Sequence, residues 1–195
     1  MLASGAEPSY TFGERQLVRR GRERSMAISM RKPLSTGETQ PWTAKEVLQG
    51  KPLGHPSHPM LVHFPVAFYI GTLGLDILSK VGGFPAAPLA TTWLLIGAFA
   101  ATSLAVLTGL VDRSTVRAGS QTRGHINRHM LLQFVTAGLF VLNFVIRWPD
   151  RHLAEAKLLW LILDVIGVGT LVVGQYLGGR LVYGLGFRVG ESAED

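Results

Sequence analysis

The chain has 195 residues and six histidines, and five of the six fall in two short stretches. His55, His58 and His63 lead into one apolar run, and His125 and His129 open another. Imidazole nitrogens ligate haem iron and divalent metals, so histidines at equal depth on facing helices could hold a b-type haem or a metal ion. His63 stands three residues after Met60 and His129 three after Ile126, the starts of their runs, which matches their depths to within about a turn. His125 and His129, four apart, share one helix face and suit a common metal. The candidate cofactor ligands are therefore His63, His129 and His125. His55 and His58, each just before a proline in a stretch that reads as extended, form a second, metal-binding candidate pair. The plainer reading keeps all five as helix-end side chains solvated by water and head groups.

A second set of ionisable residues lies within the apolar runs. Asp76 is one turn from the end of the first run, Asp164 is nearly two turns into the last, and Arg147 borders the same side. Buried charges in hydrocarbon are costly, so the aspartates should point inwards and pair with Arg147, with a proton relay or cation site as the alternative. Asp112, Arg113 and Arg180 join the histidine layer at the other side, and Asn143 and Gln175 read as interhelical hydrogen-bond formers. Cysteine is absent, which excludes disulfides, zinc–thiolate sites, Cys-ligated iron–sulfur clusters and Cys nucleophiles. No motif for nucleotide binding, hydrolysis or nucleophilic catalysis is present, and no nucleic-acid partner is indicated. Gly178-Gly179 ends an apolar run rather than following a strand, so it implies no phosphate loop.

The elements that must position these groups are membrane spans. Four stretches approach the roughly 20 apolar residues needed to cross a core of about 30 Å: about 60–79, 88–111, 126–146 and 158–179. Pro88 to Val111 carries no charge at all. A chain of this length cannot shield four such helices from water, so the fold class is an all-α integral membrane four-helix bundle spanning 51–189. It is preceded by a largely disordered basic tail over 1–50 and followed by an acidic tail at 190–195. Thr43 to Glu46 fits a capping box and Gly50 a helix stop, which predicts a short helix near 44–49. The basic run Arg15–Arg24 is followed by no apolar segment and is no signal peptide; a translation start at Met26 or Met30 would remove it. Fifteen of the 19 Lys/Arg lie on the side shared by both tails and four on the other, which places both termini in the cytoplasm.

Small residues at four-residue spacing form two rows, Gly97, Ala101, Ala105 and Gly109 in the second span and Thr170, Gly174 and Gly178 in the fourth. Such rows let helix backbones approach closely and mark the tightest interfaces, either within the bundle or to another subunit.

The run Leu53-Gly-His-Pro-Ser-His-Pro-Met-Leu-Val-His-Phe-Pro65, continuing to Leu75-Asp76, resembles the bacterial DUF2231 membrane-protein family, which has no assigned function. Gly109-Leu-Val-Asp112 and Leu177-Gly-Gly-Arg-Leu-Val-Tyr-Gly-Leu-Gly186 are similar to it as well, so the resemblance covers about Lys51 to Val189. It implies a four-helix membrane domain. In some relatives a similar domain precedes a Rieske-type iron–sulfur domain, which implies membrane electron transfer by analogy. This chain departs from the family pattern after Tyr183, where Gly184-Leu185-Gly186 replaces a His-Gly pair. Some relatives carry Asp at the position of His63, which favours a general polar role there.

The functional expectation is a non-enzymatic subunit or scaffold of a membrane complex, surrounded by the lipid bilayer and joined to other membrane or redox subunits or to its own copies. The alternative is a histidine-ligated haem b or metal-binding protein in membrane electron transfer.

Overall fold

The computed structural model describes residues 31–189. The basic run Arg15–Arg24 and the rest of the tail ahead of residue 31, and the acidic tail 190–195, lie outside the described residues. The chain divides into two units, Met1–His55 and Pro56–Asp195.

In the first unit, β1 (Lys32–Pro33) pairs antiparallel with β2 (Thr39–Gln40), Lys32 opposite Gln40. Gly37, at φ +83°, supplies the left-handed residue that the connecting turn needs. Helix α1 (Ala44–Leu48) opens with a full capping box: Thr43 accepts from the Glu46 N–H, and Glu46 accepts from the Thr43 N–H at 3.0 Å. The Thr43 backbone N–H and the Lys32 ammonium at 2.9 Å hold the Glu46 carboxyl down at a pKa of about 2. Lys51–Leu53 follow as a single 3-10 turn.

The second unit is helical. Its elements are α2 (Ser57–Leu61), α3 (His63–Val81), α4 (Ala87–Ser114), α5 (Gln121–Arg147) and α6 (Leu158–Gly179), with a π-type turn at Arg180–Gly184. Pro59 and Pro65 explain why the first span is split at Val62. Each proline sits in the first turn of its helix, where a missing N–H costs nothing, and the chain restarts between them. Helix α5 begins earlier than its apolar run because the Ser120 side chain caps it, accepting from the Arg123 N–H at 3.2 Å. The Arg123 guanidinium then ties off the end of α4, donating to the Arg113 carbonyl and to that of Val116 just past the helix.

Four continuous segments, Ser57–Val81, Ala87–Ser114, Gln121–Asp150 and Leu158–Gly184, are long and apolar enough to cross a membrane. Helix α3 packs chiefly on α4 and α5 on α6; α3 also meets α6 and α4 meets α5, which closes the four into a bundle. We call the end that carries the start of α2, the α4–α5 connection and the end of α6 the open end, and the end with the α3–α4 and α5–α6 connections the turn end.

Polarity is distributed inside out. Thr72, Asp76, Thr91, Thr92, Thr136, Asn143, Arg147 and Asp164 are buried, whereas Leu104, Leu131, Val145, Val165 and Val172 are exposed. Water would reverse that arrangement; hydrocarbon, which solvates leucine and rejects unpaired polar groups, produces it. At mid-depth the core is Tyr69, Leu95, Ala98, Phe140 and Leu171, with the Tyr69 and Phe140 rings stacked at 4.2 Å and 14°.

The two hairpins repeat one another. Asp76 and Arg147 are 71 residues apart, and so are His58 and His129, Pro65 and Thr136, Tyr69 and Phe140, and Thr72 and Asn143. All four later pairs after the histidines' own are buried positions on α3 and α5, Asp76 and Arg147 included. A second constant offset relates Ala105 to Gly174 and Gly109 to Gly178 on α4 and α6. Both hairpins start from the open end, so the repeat is parallel rather than inverted.

Candidate functional site

The open end contains a cavity of about 350 Å³, walled by all four spans. Its sides are mainly apolar, with Val62, Val66, Val106, Met130 and Phe134 among them. His58 and His129 face into it from opposite hairpins. The repeat gives them the same setting. The His58 Nδ1–H donates to the Ala105 carbonyl at 2.9 Å, with Thr108 Oγ1 at 3.3 Å, and the His129 Nδ1–H donates to the Gly174 carbonyl at 2.8 Å. A carbonyl can only accept, so each Nδ1 must carry the hydrogen, and in the neutral ring Nε2 then presents the lone pair. Among the described residues neither Nε2 has a hydrogen-bond partner.

Glycines make room for both rings. A Cβ on Gly109 would lie 2.9 Å from His58 Cε1, and one on Gly178 would lie 3.0 Å from His129 Cε1. The small-residue rows thus face the partner helix of their own hairpin: Gly97 meets the Phe68 ring, Gly174 meets Gln133, and Thr170 bonds Thr136 at 2.9 Å. Ala105 is buried, and Ala101 lines a shallow apolar groove with Phe64 and Phe68.

The other open-end residues sort themselves around this cavity. His63 is exposed at its rim, with Nδ1 3.3 Å from the Met60 carbonyl. His125 is half-buried and outside the lining, and His55 belongs to the first unit. Arg113 lines the rim and its Nε donates to Asn127 at 2.9 Å, while Arg180 is exposed. Among the described residues no group of three or more His, Cys, Asp or Glu side chains could hold a metal ion, so His55 and His58 do not form part of such a cluster.

Two cavity residues escaped the sequence reading. Gln133 lies one turn beyond His129, and its Nε2 is buried without a partner in the cavity wall. Arg188 sits in the left-handed region at φ +61°, where a non-glycine residue is strained, and its guanidinium reaches Asp112 at 3.2 Å. Both members of that pair are almost fully buried. The apolar residues around Arg188 hide it in the sequence, and its partner lies far back in the chain on α4.

The turn end is closed and charged. Asp76, Asn143, Arg147 and Asp164 are all 0% exposed. The Arg147 fork takes both Asp76 oxygens, its Nε donates to Asn143 Oδ1 at 3.0 Å, and the guanidinium lies 4.9 Å over the Trp160 ring. Asn143 in turn donates to Asp164 Oδ1 at 2.6 Å and to the Trp160 carbonyl at 3.1 Å. Ser79 staples the α5–α6 connection to α3, donating to the Asp76 carbonyl at 2.7 Å and accepting from the Ala156 N–H at 2.9 Å.

Of the two ends, the open one can receive a guest. It offers volume, apolar walls, two unengaged imidazole lone pairs and one orphaned amide donor. The turn end offers a buried polar network packed around Trp160 and Arg147. Compared with known proteins, the chain is matched over residues 54–191 by a family model described as "Predicted membrane protein (DUF2231)". No curated protein and no solved structure matches it.

Proposed function

The chain belongs to the DUF2231 family of predicted membrane proteins, and from that starting point we propose that it is a multi-pass subunit of the bacterial cytoplasmic membrane that holds a haem b between His58 and His129. One observation carries this reading. Two histidines on repeat-related helices have their Nδ1 hydrogens fixed by backbone carbonyls and both Nε2 lone pairs unengaged in one cavity. That carbonyl bond is the usual outer partner of a metal-ligating histidine, because it sets the tautomer and ring orientation before the metal arrives. The apolar walls suit a porphyrin, and the cavity lies within the size range of small-molecule sites. Arg113 at the rim suits a propionate.

A bound haem would supply one-electron transfer. The protein's own residues hold the imidazoles in place, exclude water through Val66, Val106 and Phe134, and leave the Gln133 amide free to donate to the guest. The asymmetry of Lys/Arg supports an orientation with both termini, and so the open end, on the cytoplasmic side. Its partners on this reading are redox subunits of the same membrane, and its role is to pass electrons rather than to transform a substrate.

The absorption spectrum of detergent-purified protein tests this. We expect a Soret band with reducible α and β bands, lost in His58→Ala or His129→Ala and retained in His63→Ala and His125→Ala. A colourless, metal-free preparation discards the haem reading. A reporter fused after Asp195 should be active on the cytoplasmic side only.

A further inference from the structure

The turn-end cluster holds one more carboxyl than it has cations. Arg147 is its single positive group, and Asp76 occupies both prongs of the guanidinium fork. Asp164 is left with an amide. Its Oδ1 accepts from Asn143 at 2.6 Å, while its Oδ2 stands 3.7 Å from an Arg147 nitrogen that Asp76 already engages, and that Oδ2 has no hydrogen-bond partner. The Asn143 orientation is fixed, since its Oδ1 accepts from Arg147 and its Nδ2 must therefore donate. Oδ1 of Asp164 is thus the acceptor oxygen and Oδ2 the one able to carry hydrogen.

Among the described residues no other charge is buried at this end. Helix α3 contributes Asp76, α5 contributes Arg147, and α6 contributes Asp164; the buried residues in the first half of α4, Ala87, Pro88, Thr91, Thr92, Leu95 and Ala98, carry no charge. Around the rim, Lys80 is paired with Glu155 and Lys157 with Asp150, all partly exposed to the surface. With both aspartates ionised, the cluster would carry a net negative charge at zero solvent exposure inside hydrocarbon, where an uncompensated charge is severely disfavoured. Two carboxyls around one cation resolve this by sharing a proton between them.

We propose that Asp164 carries a proton on Oδ2 at neutral pH, which makes the turn-end cluster a proton-binding site within the membrane-spanning part of the protein. The assignment is independent of what fills the cavity at the open end.

Infrared spectroscopy of the purified protein in lipid vesicles reads it directly, through the C=O stretching band of a protonated carboxyl, which shifts down in D2O. We expect that band at neutral pH and its loss in Asp164→Asn. Asp76→Asn should lose it as well, because Asp164 then ionises to pair with Arg147; this variant keeps the Asp164 side chain and serves if Asp164→Asn does not fold. A wild-type spectrum without a protonated-carboxyl band, or a band that persists in either variant, overturns the proposal.

Discussion

The open and turn ends are built from the same two hairpins, yet one holds space and the other holds charge. At the open end, Gly109 and Gly178 stand opposite the imidazoles, and side-chain volume is missing by construction. At the turn end, Trp160 and Arg147 are among the largest fully buried side chains and fill what the bundle leaves. About 27 Å of helix rise separates His129 from Arg147 along α5. The comparison teaches that stability and binding are carried at different depths. The buried polar network fixes how the hairpins meet, and the glycine-lined cavity is free to accommodate a guest.

The largest effect should come from the turn end. Arg147→Ala leaves two buried carboxyls without their cation and should cost about 3–5 kcal/mol, read as a lowered unfolding midpoint in detergent. At the open end, Gly109→Ala or Gly178→Ala forces the neighbouring imidazole aside. Each should cost about 1–3 kcal/mol while abolishing the haem spectrum. If the glycine variants destabilise as much as Arg147→Ala, the division between the two ends fails. The smallest effect sharpens the boundary between them. Tyr69 donates to or accepts from Thr102 at 3.0 Å, and both line the inner part of the cavity. Tyr69→Phe should cost about 0.6 kcal/mol, with the ring stack on Phe140 intact.

Much of the fold is legible from residue types alone. Apolar runs of membrane length announce the four spans, and Thr43-x-x-Glu46 announces the capping box, because both depend on local sequence. The pairing of Asp76 with Arg147 follows from the scarcity of cations at that depth. The direction of His58 does not follow: His-Pro-Ser-His-Pro reads as extended, whereas Pro56 and Pro59 sit where they start a helix, and Ser57–Leu61 coils to turn His58 inwards. The repeat was hidden for a related reason. Its strongest signal is positional, not compositional, since the matched residues are Asp against Arg, Thr against Asn and Tyr against Phe. The small-residue rows likewise reveal close packing but not which helix they pack against. That the glycines serve imidazoles and phenyl rings of their own hairpin depends on rotation about the helix axes, which spacing alone does not define.

The opposite signs at the repeat-related positions of α3 and α5 have one more consequence. If two copies of the first hairpin met across the pseudo-twofold axis, they would bury carboxylate against carboxylate with no cation between them. The second hairpin brings Arg147 together with Asp164, so the mixed pairing gives Asp76 the guanidinium that a second copy of its own hairpin lacks. The first half of the molecule thus refuses its own likeness, and its partner is selected by charge before any side chain has to interlock.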